Sequence, residues 1–410
     1  AGLTSRLRRQ FSAGVRRWDS ATDSCAPSTG SVNTADSRRT RRNDGVDVLG
    51  FFTAEHGVGE AARGLVGALD AAGIRRNAVN YTDTESRTEH EFVTQDTSEH
   101  RVLFLALNPD HIPAAHRIMG EEFFEDRYVI SQWFWELSEA PHWFADAYPF
   151  VDELWAPTRF MEEMLRRNVP DNVKVRYMPP AVVAPTVDHE LDLAHFGLPD
   201  RFTFLFSFDF MSIAKRKNPV GLVQAFTRAF NDGEGPQLVI KSMNGDKRES
   251  DNWLLQQTVG DRSDIILLDT YLTRTEASTL TSLASCYVSL HRSEGLGLTI
   301  TEALSLGVPV IATAYSGNLD FMDEWNTWRV PASMTKVGEG AGGYPPHAEW
   351  AEPDLHAAAR MMREVWENQE LAREKAARAR DWVLDAFSVE SAATRMRNRL
   401  EDVWAGPGRG

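Results

Sequence analysis

A chain of 410 residues is long enough for two domains with separate cores, and 42% apolar with 25% charged residues is ordinary globular composition. Two cysteines, Cys25 and Cys286, exclude a disulfide framework, and without a Cys/His cluster no structural metal is expected. A net charge of −15 argues against nucleic acid as the main partner.

The charge is uneven. Residues 1–44 hold nine arginines against four aspartates, so the remainder carries more than the whole net negative charge. This Arg-rich segment is expected to be a disordered tail or linker. Its stretch "LTSRLRRQFSAGVRRW" (3–18) also has the pattern of a basic amphipathic helix, a candidate for peripheral contact with an anionic membrane. No run approaches the ~20 apolar residues of a transmembrane helix, and no apolar signal core opens the chain. The expected location is the cytoplasm, with the inner face of the membrane as the place for any such contact.

From 46 to about 185, short apolar runs alternate with helical periodicity. Strands are expected at 46–52, 76–80, 101–107, 128–134, 151–157 and 173–179, and helices at 58–72, 113–120, 141–147 and 158–168. Alternation of this kind implies a parallel, doubly wound sheet. The proline-rich stretch 179–200 reads as a connection between domains. A second alternating series follows, with strands at 202–208, 237–242, 264–269, 286–291, 308–313 and near 328–330. Helices are expected between them at about 219–230, 250–258, 274–284 and 299–306. Three helices at 354–367, 369–386 and 389–402 close the chain. Two tandem doubly wound domains place the carboxyl ends of two sheets across a cleft, where ligands of such folds bind.

The strongest chemical signal is "HRSEGLGLTITEALSLGVPVIAT" (291–313). A strand ends at His291, Glu294, Gly295 and Gly297 form a loop, and a helix starts near Leu298 with Glu302 just over one turn inside. The glycines let backbone N–H groups approach a ligand, and the helix N-terminus offers unpaired donors and a positive dipole end to a phosphate. A carboxylate on each side of that phosphate site can accept hydrogen bonds from hydroxyls. A molecule with hydroxyls on both sides of a diphosphate is a nucleotide-sugar.

With this E-x7-E pattern the sequence resembles the retaining glycosyltransferases of GT-B fold, family GT4, over roughly 46–402. "GVGEAAR" (57–63), "WFWELSEAP" (133–141), "FDFMSIAKRKNP" (208–219) and "WAEPD" (350–354) resemble a bacterial subgroup of it. The resemblance implies that Glu294 contacts the donor sugar and Glu302 the ribose, while the amides of Gly295, Leu296, Gly297, Leu298 and Thr299 face sugar and diphosphate. It also implies a basic pair against the diphosphate, here Arg216 and Lys217, with Ser212 in the same loop. The common family form separates its Arg from its Lys by four or five positions. Here they are adjacent, which leaves open which of the two does the work. Lys241, ending a strand at the same sheet face, is a further donor-side candidate. Where many relatives carry a His near the sugar, this chain offers Trp135 and Glu136. Glu136 is the candidate contact to sugar or acceptor, with His111 and His116 as other polar candidates.

"TAEHGVGEAARG" (53–64) fits the G-x-G-x-x-A string of dinucleotide-binding folds. Four residues nevertheless separate the strand from Gly57, and the acid expected about 20 residues on is poorly placed, since Asp83 lies 26 after Gly57 in a polar stretch. Gly57, Val58 and Gly59 are instead expected in a loop over the cleft, touching donor phosphate or acceptor.

The expected domains are an Arg-rich segment (1–44), an N-terminal Rossmann-like acceptor domain (45–185), a linker (186–200) and a C-terminal Rossmann-like nucleotide-sugar domain (201–385). A final helix and tail (386–410) are expected to pack back on the first. The implied reaction moves a hexose from a nucleoside-diphosphate sugar to a hydroxyl acceptor by front-face displacement, with no cofactor and no metal. Alternatives are another GT-B chemistry (a phosphorylase or sugar-nucleotide epimerase), an NAD-dependent dehydrogenase, and a non-catalytic glycan-binding protein.

Overall fold

The computed structural model describes residues 42–84, 86–95 and 97–406. The Arg-rich stretch 1–41, with its expected disorder and membrane contact, lies outside them, as do residues 407–410.

The first sheet contains β1 (Asn43–Gly50), β2 (Arg76–Asn80), β3 (His100–Ala106), β4 (Tyr128–Ser131), β5 (Glu153–Ala156) and β6 (Lys174–Tyr177). They are all parallel, in the order β2-β1-β3-β4-β5-β6. The connecting helices are α1 (Gly57–Ala71), α2 (Ile112–Met119), the single turn α3 (Glu121–Phe124) and α4 (Arg159–Asn168). From Val46 to Gly50, β1 is buried on both faces, as a strand sandwiched between helices must be.

The second sheet contains β7 (Thr203–Asp209), β8 (Gln237–Met243), β9 (Ile265–Asp269), β10 (Cys286–Ser289), β11 (Val310–Thr313) and β12 (Trp328–Val330). These too are parallel, in the order β12-β11-β10-β7-β8-β9. Around it lie the single turn α5 (Ala214–Lys217), α6 (Pro219–Ala229), α7 (Glu249–Val259), α8 (Arg274–Leu283) and α9 (Leu298–Ser305). Both Rossmann-like sheets predicted from the alternation are therefore present. The strand order reverses between β1 and β3 in the first sheet, and between β7 and β10 in the second. Loops at such reversals diverge and leave a crevice, which is where doubly wound sheets bind ligands.

After β12 the chain forms an antiparallel hairpin, β13 (Ala332–Lys336) and β14 (Glu349–Pro353). "WAEPD" enters this hairpin, which the periodicity does not reveal because β13 is mostly exposed and polar. Then come α10 (Leu355–Glu367), α11 (Gln369–Ala386) and α12 (Val389–Ala405). Helix α12 returns to the first half. Ala392, Ala393, Met396 and Leu400 are buried among Val46, Val48, Leu65 and Leu69. Arg399 Nε donates to the Oε1 of fully buried Glu153 at 2.9 Å, and Arg397 Nε to Ala72 O at 3.0 Å.

Two expectations need correction. The helix expected at 141–147 is a pair of 3₁₀ turns, His142–Asp146 and Tyr148–Phe150, because Pro149 has no N–H to continue a helix. The strand expected to run to 134 ends at Ser131. Beyond it, Phe134 N donates to Asn108 Oδ1 (2.9 Å) rather than to a neighbouring strand. Segment 186–200 packs on the second half, with Phe196 and Leu198 in its core. No helix among the described residues is long and apolar enough to cross a membrane.

Candidate active site

The reversal point of the second sheet builds the site. After β7 ends at Asp209, a 3₁₀ turn (Phe210–Ser212) leads into α5, which holds the "AKRK" run as one helical turn rather than the expected open loop. Both flanks are backbone outliers. Ile213 has φ 65 and ψ 96, and Asn218 is left-handed at φ 57. For a β-branched residue such a conformation costs of order 1–3 kcal/mol and persists only where surroundings enforce it. Asn218 caps α6 by accepting from Gly221 N (3.2 Å) and ties the turn to the end of β10 by donating to Leu290 O (2.9 Å), just beyond that strand.

The three cations of this turn take different directions. Lys215 Nζ donates to two backbone carbonyls, Val337 O at 2.7 Å and Glu339 O at 3.0 Å. Arg216, only 4% exposed, donates to Ser293 O (2.8 Å) and Ser212 O (3.2 Å) and sits 3.1 Å from Glu294 Oε2. Lys217 Nζ is 2.5 Å from Glu294 Oε1. Ser212 thus enters through its carbonyl.

The opposing wall is the loop after β10. His291 is buried, with Ser289 Oγ 3.0 Å from Nδ1 and Asn318 Oδ1 3.0 Å from Nε2; burial pushes its pKa down and keeps the ring neutral. Glu294 is fixed at its backbone. Its N–H donates to Ser316 Oγ (2.8 Å) and its carbonyl accepts from Gly317 N (2.9 Å). Ser316 is another outlier, at φ 75. A Cβ on Gly317 would lie 2.1 Å from Gly295 O, so only glycine permits the two loops to pack this closely. Burial works against the Glu294 charge, but Lys217 and Arg216 outweigh it and bring the carboxyl down to about 2. Gly297, at φ 86, caps α9. Leu296 is buried, and Leu298 and Thr299 open the helix, with Leu298 exposed.

Groups from the first half close on this wall. Ser293 Oγ donates to Glu136 O, Thr158 Oγ1 to Gly295 O (3.0 Å), and Arg159 N to Asp320 Oδ2 (3.0 Å). Glu136 accepts from Tyr344 OH at 2.6 Å through Oε2, while its Oε1 lies 3.7 Å from Arg216 Nη2. Trp135 is buried among Trp143, Phe144 and Tyr344.

Gly57, Val58 and Gly59 need a correction. They form the first turn of α1 rather than a loop, because His56 Nδ1 accepts from Gly59 N (3.1 Å) and caps the helix there. A Cβ on Gly57 would stand 3.6 Å from Leu298 Cδ1, so the N-termini of α1 and α9 face one another across the two halves. Glu302, on α9, lies 3.7 Å from Arg274 Nη1, and Arg274 Nη2 is 3.6 Å from Glu60 on α1. Lys241, on β8, is buried; desolvation pushes its pKa down, while Asp209 and Asp269 favour its charge. Of the other candidates, His116 is packed between Phe124 and Phe150, whereas His111 joins His56 and Tyr81 around Phe51.

Arg216, Lys217, Glu136 and Glu294 thus form one cluster. Sequence reasoning misses Tyr344, Ser316, Asn318 and Thr158. Tyr344 sits in "GEGAGGYPP", which reads as a polar loop, and the others act through caps and loop contacts that leave no periodic signal.

Residues 205–335 match the model of the family described as Glycosyl transferases group 1. No curated protein matches the chain. Among solved structures it is similar to sucrose-phosphate synthase from Thermosynechococcus elongatus, at 16% identity and TM-score 0.64, over 88% of this chain and 100% of that one. HepE of Anabaena in complex with UDP-glucose aligns at 11% identity and TM-score 0.64, over 88% and 100%. A glycosyltransferase from Rickettsia africae aligns at 13% identity and TM-score 0.62, over 89% and 100%. At these identities the likeness establishes the fold, which is GT-B. With a Glycosyl transferases group 1 domain in the second half of that fold, the chain is a glycosyltransferase.

Proposed function

We propose that the chain is a retaining glycosyltransferase of family GT4, which moves a hexose from a nucleoside-diphosphate sugar to the hydroxyl of a glycan, lipid-linked or small-molecule acceptor. The observation that carries this reading is the contact of Glu294 with Lys217 and Arg216 beside the N-terminus of α9, at the reversal point of the second sheet. A carboxylate for sugar hydroxyls, two cations and a helix N-terminus for a diphosphate are what the donor requires. The donor's diphosphate takes Lys217 from Glu294 on binding, and the freed carboxylate turns to the sugar.

The two adjacent cations divide the work. Arg216 is committed to two carbonyls and to Glu294, and orients that carboxylate. Among the described residues Lys217 pairs with Glu294 alone, and it meets the charge that builds on the leaving phosphate, the contribution that usually dominates such a step. In front-face displacement, the acceptor hydroxyl attacks the anomeric carbon as its bond to the phosphate oxygen breaks. The same oxygen takes the acceptor's proton, so the protein positions the reactants and matches charge. Glu302 is assigned to the ribose, the amides of 295–299 to sugar and diphosphate, and Lys241 to the donor side. His56, Tyr81 and His111, at the first sheet's reversal point, would receive the acceptor. Neither metal nor cofactor enters this scheme.

A thermal-shift panel of UDP-, GDP- and ADP-sugars beside NAD(H) tests it. A ligand at ~100 times its Kd adds ~2.7 kcal/mol. A shift with one nucleotide-sugar series supports the reading and identifies the base; a shift with NAD(H) alone refutes it.

A further inference from the structure

The loop between β13 and β14 takes no part in the chemistry above, yet it reaches the centre of the cluster. Its Val337, Ala341, Tyr344 and Ala348 leave the second half and are buried in the core of the first, with Trp133, Trp135 and Phe144. Three anchors hold it. Lys215 donates to the carbonyls of Val337 and Glu339. Arg292 pairs through Nε and Nη2 with Glu352 on β14, at 2.6 and 2.9 Å. Gly342 lies so close to Ile213 that a Cβ would stand 2.7 Å from its Cδ1. All three anchors lie on the two short segments that carry Arg216, Lys217 and Glu294, so loop and cations are placed together.

In this loop Tyr344, 8% exposed, donates a hydrogen bond from its hydroxyl to Glu136 Oε2 at 2.6 Å. The Glu136 backbone is already held by Ser293, so the hydroxyl sets only the direction of the carboxylate. Oε1 stands 3.7 Å from Arg216 Nη2, short of a hydrogen bond, while Nη1 is engaged by Glu294 and Ser293. Without the hydroxyl, Oε2 loses that donor while the Glu136 side chain, 23% exposed, is only partly open to water. The remedy at hand is Arg216, and closing that gap draws Arg216 away from Glu294.

We propose that Tyr344 is a positioning residue for sugar transfer. It holds Glu136 off Arg216, so that Arg216 stays with Glu294 and Oε1 of Glu136 is left for a sugar hydroxyl. The proposal rests on the glycosyl-transfer reading and deepens it. It places control of the transfer step in a loop that begins beyond the matched family segment at 335.

The test is a double-mutant cycle of Tyr344→Phe and Glu136→Gln, assayed with UDP-, GDP- and ADP-glucose, with transfer to water and to added sugars both measured. Phenylalanine keeps the ring against Trp135, and the melting temperature of each variant checks folding. Loss of a hydrogen bond to a charged group should lower kcat about ten- to a hundred-fold, with donor KM within about two-fold because the diphosphate contacts are intact. The double variant should be no slower than Glu136→Gln alone, a coupling that a packing role does not produce. Additive losses, a wild-type kcat in Tyr344→Phe, or a loss confined to donor KM would each overturn the proposal. A wild-type chain that consumes none of the three donors overturns the functional reading and this role with it. An active wild type with an unaffected Tyr344→Phe overturns this role alone.

Discussion

Glu294→Gln separates the charge of the site from its shape. Glutamine keeps a carbonyl oxygen for a hydrogen bond but removes the charge that faces Lys217 at 2.5 Å and Arg216 at 3.1 Å. Two estimates of the cost agree. Removing one partner from a buried ion pair costs about 3–5 kcal/mol, because the charge left behind has already been desolvated. Independently, the carboxyl lies at about 2 in the folded chain against an ordinary 4.5, and at about 1.4 kcal/mol per unit this is about 3 kcal/mol at neutral pH.

The sign follows from the lowered value. The contribution is complete above pH 4.5, falls to about half by about pH 3, and vanishes below about 2 as the folded state takes up its proton. Urea unfolding of both proteins at pH 7, 5 and 3 measures it. The variant should be less stable by about 3 kcal/mol at pH 7 and 5, or roughly 4 °C in melting temperature for a chain of this size, and the gap should narrow clearly at pH 3. A loss that stays constant down to pH 3 would show that shape rather than charge is responsible, and would refute the ion-pair argument. In the same variant Lys217 has no counter-charge. A nucleoside diphosphate should therefore bind at least as tightly as to the wild type, while sugar transfer falls.

Three further outcomes follow from the packing. Gly317→Ala must push a Cβ into Gly295 O from 2.1 Å, so it should cost about 1–3 kcal/mol and cut turnover by displacing Glu294, as paired melting and rate measurements would reveal. Gly64→Ala, on the exposed face of α1 with nothing within 4 Å of its Cβ, should stabilise the protein by about 0.5–1 kcal/mol without changing kcat; a destabilised variant would contradict the helix assignment. Arg399→Ala leaves buried Glu153 without its cation and loosens α12 from the first sheet. It should cost about 3–5 kcal/mol and raise hydrogen exchange in residues 389–405 before other segments; unchanged protection there would count against the tie.

What was legible in the sequence follows from what period reports. Strands buried on both faces between helices read as runs of Val, Ile, Leu and Phe, so β1, β7, β8 and β10 announce themselves, and so does the two-sheet fold. Glu294, Gly295 and Gly297 are legible because a strand end, two glycines and a helix start leave few other uses for an acid between them. The path of 133–150 was less so. Its aromatic residues are core to the first half, but prolines and side-chain hydrogen bonds such as Asn108 to Phe134 set its course, and neither has a period. The β13–β14 hairpin escaped for the opposite reason, since its first strand faces solvent and carries no apolar alternation.

The adjacent Arg216 and Lys217 show where a sequence motif stops and conformation takes over. On an ordinary helix, neighbouring side chains diverge by about 100° and cannot share one ligand. Here they meet on the two oxygens of Glu294. The turn that carries them is one helical turn long, entered through Ile213 at φ 65 and left through Asn218 at φ 57. Of the five non-glycine residues with positive φ among those described, these two and Ser316 adjoin Glu294 or its partners. Strain of this kind is maintained by surrounding contacts: Gly342 against Ile213, Asn218 to Leu290 O, Ser316 to the Glu294 amide. All three contacts bridge segments distant in sequence. The compressed cation pair therefore needs both the β13–β14 loop and the loop after β11, and a chain with the same "AKRK" but without those supports would not bring its two charges to one carboxylate.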